Sequence, residues 1–263
     1  MNALARGSVT IAGVLAAWQV FIWVSGVAPF MLPGPWAVAT TWLDHVGYLT
    51  KHATITGAEI LLGLGLGTGV GVISALAIIS FAPARRWLMP VLVVSQAVPV
   101  FALAPLLVLW LGYGMASKVT MAALIIYFPV ATAFLDGLRR TESGWLDLSE
   151  TMTGGKRPFA VLWHIRIPAA LPGLASGLRV GAAVAPIGAV VGEWVGSGAG
   201  LGYVMLHANG RMQTDLMFAA LGTLAVLALA TYFSVDWGLR RLIPWQTETA
   251  PSDREISGAK NAQ

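Results

Sequence analysis

Six apolar runs recur along this chain, at residues 9–27, 55–81, 88–111, 119–138, 171–195 and 216–239, each long enough to cross a bilayer. A hydrocarbon core of roughly 30 Å needs about 20 apolar residues in a helix. Backbone in lipid must satisfy its own hydrogen bonds, so helices are the natural spanning form for such runs. The expectation is an all-α polytopic membrane protein with six transmembrane helices. Composition supports this: only 11% of residues are charged, against roughly 25% in soluble domains. A chain so poor in charge cannot cover a water-facing surface. The 11 tryptophans and 30 glycines fit the same class, since Trp anchors at bilayer interfaces and Gly is common in membrane helices.

Six spans put both termini on one side, and the basic residues select that side. With the N-terminus inside, 13 Lys and Arg fall on the inner side, among them Arg85, Arg86, Arg139, Arg140, Arg240 and Arg241. Only Lys51, Lys118 and Arg211 fall outside. This asymmetry obeys the positive-inside rule and predicts cytoplasmic termini. The first run is read as an uncleaved span: Pro29, Pro33 and Pro35 stand where the cleavage pattern of a signal peptide would follow. Residues 1–54 then form the first span and an outer proline-containing loop, with a short interfacial helix expected at 36–49. Residues 55–241 form a five-span core, and 242–263 a polar, disordered cytoplasmic tail.

The longest polar break, residues 145–177, lies on the cytoplasmic side and carries Lys156, Arg157 and Arg166. Some thirty residues are more than a connection needs, so a docking role is expected, with a short surface helix over 146–155 ended by Gly155. An amphipathic interfacial helix without a partner is the plainer reading.

Other patterns narrow the function. Gly57, Gly63, Gly65, Gly67, Gly69 and Gly71 in span two suit close helix approach in lipid. They do not form a phosphate loop, since no GK[ST] follows. Pro90, Pro99 and Pro105 punctuate span three, as expected of a helix that lines a cavity. No cysteine is present, which excludes disulfides and thiolate chemistry. No Ser-His-Asp set or HExxH run points to catalysis. His45 and His52, with Asp44, read as solvated loop residues, and His164 and His207 as isolated ones.

Charged groups inside a bilayer are functional candidates by default. Arg179 and Glu193 lie fourteen residues apart, about 21 Å along a helix and within roughly 40° of one face. Both fit a substrate pathway. For Arg179, snorkelling to the nearer interface is the stronger reading; for Glu193 the two readings stand level. Gln96, Trp110 and Glu59 are further pathway candidates.

Within the polar break the spacing becomes specific. Gly155 is followed after nine residues by Ile165, and then by Arg166, Ile167 and Pro168. This resembles the coupling-loop signature of ABC importer permeases, EAA, three residues, Gly, nine residues, Ile-x-Leu-Pro. The chain departs from it at the opening, where Ser149-Glu150-Thr151 stand. LPGPWAV, SQAVPVFALAPLLVLWLGYG, SKVTMAALIIYFPV, GAVVGEWVGSGAGLGYVM and RRLIPW extend the likeness over nearly the whole chain. They are similar to permeases of the nitrate, sulfonate, taurine and thiamine-precursor group, most of all to the hydroxymethylpyrimidine-type permeases.

The resemblance implies a type I importer permease fold, with a coupling helix inside a loop at 142–170 between spans four and five. It implies that Ser149, Glu150, Thr151, Gly155, Ile165, Ile167 and Pro168 engage a cytoplasmic ATPase. It also implies a homodimer in the bacterial inner membrane with two ATPase copies and an extracytoplasmic binding protein. ATP-Mg would be bound on the ATPase and no cofactor on this chain; neither catalysis by this chain nor a nucleic-acid partner is expected. A pathway with Trp, Tyr, Gln and a carboxylate suits a neutral or cationic heteroaromatic solute, with sulfonate, taurine or nitrate as alternatives. A self-sufficient secondary transporter or channel is the rival from another class, but it gives no reason for the long basic loop.

Overall fold

The computed structural model describes residues 3–154 and 158–245, and these are helical almost throughout. Eleven helices follow one another: α1 (Ala3–Ser25), α2 (Pro35–Asp44), α3 (Val46–Ser80), α4 (Ala82–Ala97), α5 (Ala104–Leu111), α6 (Met115–Arg139), α7 (Ser143–Thr153), α8 (Pro158–Val161), α9 (Ile167–Gly196), α10 (Leu201–Gly210) and α11 (Thr214–Leu242). A π-helical turn, Leu162–Arg166, joins α8 to α9. Five helices are long and apolar enough to cross a membrane, and α4 with α5 makes a sixth apolar stretch bent by 97°. Of the tail expected at 242–263, Leu242 ends α11 and Ile243 is buried against Ala175 and Leu239, while 246–263 lie outside the described residues, as does the pair Lys156-Arg157.

The centre of the bundle is α6, held between α3 and α9. Its neighbours meet it with glycines. A Cβ built on Gly63 or Gly67 would fall 2.5 Å from Ala122 Cβ and 2.7 Å from the Ala123 carbonyl oxygen. On the other flank, one on Gly177 or Gly188 would fall 2.6 Å from the Pro129 carbonyl oxygen or from Ala122 Cα. Side-chain-free contact of this kind lets helices pack by dispersion where lipid removes any hydrophobic drive. Gly65 and Gly69 meet nothing within 4 Å, so only the four-residue series 63, 67, 71 of the sequence run makes the contact.

Apolar clusters stack along α6. Near its C-terminal end, Phe134, Leu135 and Leu138 pack with Ile78, Leu92 and Ala170. At mid-height Ile126 and Val130 meet Ile60, Ala185 and Ala189. Beyond its N-terminal end, Leu49 packs with Leu201, Val204, Ala219 and Ala220.

Several expected boundaries are corrected. Span two does not begin at residue 55, and the interfacial helix does not reach 49: α2 stops at Asp44 and α3 starts at Val46. At about 1.5 Å per residue, the 35 residues of α3 extend over about 52 Å, well past a hydrocarbon core. The polar groups that made 45–54 look like a loop find partners in the fold, as described below. Residues 82–87, between the runs expected as spans two and three, are helical and open α4. Span three is broken at Ala97–Pro99, and Pro105 sits in the first turn of α5, where a missing N–H costs nothing. The loop expected after span five contains a helix, α10. The surface helix runs Ser143–Thr153, and the left-handed residue that ends it is Gly154 (φ +61°), one position before Gly155, which lies outside the described residues.

Candidate functional site

Two regions bear on function, one at each end of α6. At its C-terminal end, α7 and the 158–166 segment form a compact hairpin-like unit. Ser149 is buried there and donates to the Leu146 carbonyl at 2.7 Å. Glu150 and Thr151 are exposed, and Thr151 caps back onto the Asp147 carbonyl at 2.9 Å. Ile167 packs against the lower core cluster, which anchors the return strand of the signature. Pro168 lies within the first turn of α9 and faces Trp145 and Trp245 across a shallow cavity.

Two cavities flank α7. One, of about 500 Å³, opens between Ser149, Glu150 and Thr153 and the Ile79–Phe81 corner, with Arg166 at its rim. The other, of about 360 Å³, is apolar and lies between Trp145, Leu148 and Met152 on α7 and Ile165 and His164 on the return. Trp145, Leu148 and Met152 follow i, i+3, i+7 spacing, so they share one face of α7. That face is unpartnered in the single chain: Leu148 is 60% and Met152 78% exposed. An apolar stripe rimmed by polar residues marks an interaction surface.

At the opposite end, side chains from three helices converge. Glu193, 1% exposed near the end of α9, accepts from the Thr56 hydroxyl at 2.6 Å and from the backbone N–H groups of Gly202 and Tyr203. Thr56 in turn accepts from the Leu201 N–H at 2.8 Å. His52 Nδ1 accepts from the Gly200 N–H at 2.9 Å, which fixes its remaining proton on Nε2. The His52 ring sits between those of Tyr48 and Tyr203. His52 is therefore a buried α3 residue, not the solvated loop histidine expected; His45 is the exposed one.

The Glu59 carboxyl, fully buried, lies against that of Glu193. Lys118 Nζ, from the first turn of α6, stands 3.1 Å from Glu59 Oε1. It is within ion-pair range but not aligned as a hydrogen bond, and neither Glu59 oxygen has an aligned donor among the described residues. Lys118 thus offsets the Glu59 carboxyl.

The two midplane candidates on α9 go to different partners. Arg179 Nε donates to Asp236 Oδ1 on α11 at 2.6 Å, and Asp236 also accepts from Arg240 at 2.8 Å. Glu193 joins the α3–α10 cluster, with its oxygens occupied by hydrogen bonds. Trp110 is 71% exposed on α5. Gln96 falls in the last turn of α4, next to the bend; its side chain is outside what is described.

Sequence reading missed Thr56, Lys118, His52 and Asp236. Each carried a weak signal: a polar residue at helical spacing from Glu59 or Arg240, or a lone lysine at the mouth of an apolar run.

The described residues form a helical bundle with a broken span, a buried polar cluster and an exposed amphipathic helix between spans, the build of a polytopic membrane protein. Comparison with known proteins gives its family. The profile of the binding-protein-dependent transport system inner membrane component family matches residues 67–246, and the chain belongs to that family. A probable ABC transporter permease protein of Haemophilus influenzae is 53% identical over 89% of this chain and 95% of its own length. The riboflavin transport system permease protein RibX of Chloroflexus aurantiacus is 35% identical over 90% of this chain and 89% of its own. The formylaminopyrimidine transport permease protein ThiX of Halalkalibacterium halodurans is 32% identical over 89% and 92%.

Among solved structures, the inward-facing MetNI methionine ABC transporter aligns with a TM-score of 0.57. That match has 19% identity and covers 85% of this chain and 98% of that one. At that identity it speaks for the fold alone, which is the importer permease fold. The chain is accordingly a multi-pass inner-membrane permease subunit of an ABC importer, a transport subunit and not an enzyme.

Proposed function

We propose that two copies of this chain form the pathway of an importer driven by two cytoplasmic ATPases and fed by an extracytoplasmic binding protein. The carrying observation is the exposed apolar face of α7. In water Trp145, Leu148 and Met152 are a liability, and in a groove on an ATPase they are a seat. Glu150 and Thr151 would meet the rim of that groove, and the Gly155, Ile165, Ile167 and Pro168 return would transmit its movement into α9. ATP-Mg would be bound by the ATPase. The excess of Lys and Arg around α7 and the termini supports placing that end in the cytoplasm.

The solute we favour is a nitrogen heteroaromatic, specifically a thiamine pyrimidine precursor of the hydroxymethylpyrimidine type. Two relatives carry names for such compounds, riboflavin and formylaminopyrimidine. Gln96 and Trp110, on the bent α4–α5 pair, are the residues we place along the path between the two copies. Arg179 and Glu193 would serve the path through the partners they hold.

The test is purification of the tagged chain from native membranes in mild detergent, beside a Leu148→Arg, Met152→Asp variant. An ATPase should accompany the wild type and be lost from the variant. Recovery of the chain alone in both cases, with solute movement that needs no ATP, would replace this reading with a secondary transporter. Uptake of labelled hydroxymethylpyrimidine, unaffected by excess taurine, would support the solute; the reverse competition would assign a sulfonate.

A further inference from the structure

The helix α10 is bounded by two residues with left-handed φ, Gly200 (+109°) and Met212 (+58°). Its lead-in, Gly196 to Gly200, is nearly free of side chains. A ten-residue helix so flanked would be expected to swing on its own. What holds it is unusual in its source. A helix leaves its first N–H groups without internal partners. Here the N–H groups of Gly200, Leu201, Gly202 and Tyr203 are all received by side chains of other helices: His52 and Thr56 of α3, and Glu193 of α9.

Those acceptors are themselves organised. His52 and Thr56 are four residues apart, on one face of the protruding turns of α3. Thr56 bridges, donating to Glu193 while accepting from Leu201. A Cβ on Gly200 would collide with the Glu193 carboxylate, so the close approach depends on that glycine. Behind Glu193, Glu59 of α3 pairs with Lys118 of α6 at 3.1 Å.

We propose that Glu193 is a positioning residue of the transport pathway: through the side chains it joins, α10 is carried as one rigid body with the ends of α3 and α9. The consequence rests on the importer reading above, because only there does α10 lie at the end where solute is delivered. The competing account is that apolar packing of Leu201 and Val204 on Leu49, Ala219 and Ala220 holds α10 without help.

The chain has no cysteine, so spin labels can be placed at single introduced thiols. One pair, His207→Cys with Leu62→Cys, reads α10 against α3; a second, Leu61→Cys with Val180→Cys, reads α3 against α9. Both are measured by electron-electron double resonance on the full chain in lipid nanodiscs, with whatever ATPase copurifies. In Glu193→Ala the α10–α3 distribution should broaden by about twofold or more, with the α3–α9 distribution unchanged, as loss of charge-assisted bonds frees a local element. Glu193→Gln, whose carbonyl oxygen still accepts from Gly202, should recover part of the width. Thr56→Val, isosteric and without the hydroxyl, should broaden it as well and serves if Glu193→Ala does not fold.

An unchanged α10–α3 distance in Glu193→Ala or Thr56→Val overturns the proposal in favour of packing. Equal broadening of both pairs overturns it in favour of a general stabilising role. Where an ATPase is present, a non-hydrolysable ATP analogue should leave the wild-type α10–α3 distance unaltered, and a change there refutes the single rigid body. Absence of any ATPase counts against the importer reading alone, since the label distances are read without it.

Discussion

Replacing Lys118 by methionine tests how the buried charges are balanced. Lys118 and Glu59 are almost wholly enclosed, with side-chain exposures of 7% and 0%. Glu59 also lies against Glu193. Removing the Lys118 ammonium therefore leaves the buried Glu59 carboxyl without its ion-pair partner. Breaking a buried pair from one side typically costs about 3–5 kcal/mol, whereas replacing both members by well-packed apolar groups is often close to neutral. For a chain of this size about 1 kcal/mol moves the midpoint of thermal unfolding by roughly 2–4 °C, so Lys118→Met should lower it by about 6–20 °C.

The double variant Glu59→Leu, Lys118→Met should recover most of that loss. The assay is thermal unfolding of purified protein in one detergent, followed by intrinsic Trp fluorescence, for the wild type, both single variants and the double variant. If Lys118→Met is no less stable than the double variant, the lysine does not balance the Glu59 carboxyl. The same cycle gives the coupling energy of the pair directly.

Three further outcomes follow from the geometry. Gly188→Val should cost about 1–3 kcal/mol from overpacking, since even a Cβ there would fall 2.6 Å from the Ala122 Cα; Gly65→Val, which meets nothing, should be near neutral in the same unfolding assay. Asp236→Leu should destabilise more than Arg179→Leu, because it removes the carboxylate that Arg179 and Arg240 share, while the latter leaves Asp236 paired with Arg240; the two midpoints, measured together, check the order. Gly200→Ala should disturb the α10 clasp through both its φ and its contact with Glu193, seen as greater amide hydrogen exchange over 200–204 with exchange in α6 unchanged.

Much of this architecture was legible in the chain because lipid imposes its rules locally. Apolar runs gave the spans, and the four-residue glycine series in span two gave a packing face, since both are properties of neighbouring residues. The clasp was hidden because its members lie at 52, 56, 59, 118, 193 and 200–203, brought together only by the fold. His52 read as loop, and Thr56 drew no notice, because their polarity is met by N–H groups some 145 residues away in sequence. The helix within 196–215 was hidden because the glycines of that segment signal flexibility, while those at 200 and 202 in fact make room for a carboxylate. Arg179 and Glu193 shared a face by arithmetic, yet helices have neighbours on several sides, and Asp236 claims one while Thr56 claims the other.

The glycine faces of α3 and α9 have a consequence for how the bundle knows its own alignment. The glycines add no side chains of their own and offer only shallow holes to Ala122, Ile126 and Val130 of α6. A stripe repeating every four residues would fit its partner nearly as well after a slip of one turn, about 5.4–6 Å along the axis. Such a surface is a ruler with identical marks. Something else must say which mark is zero, as a single buried polar residue does in a coiled coil. Glu59 on α3, Lys118 on α6 and Glu193 on α9 meet at one height and nowhere else along these three helices. A slip of one turn would leave these polar groups without their partners in the apolar interior, so this cluster, together with the apolar clusters stacked along α6, sets the axial origin for the three helices.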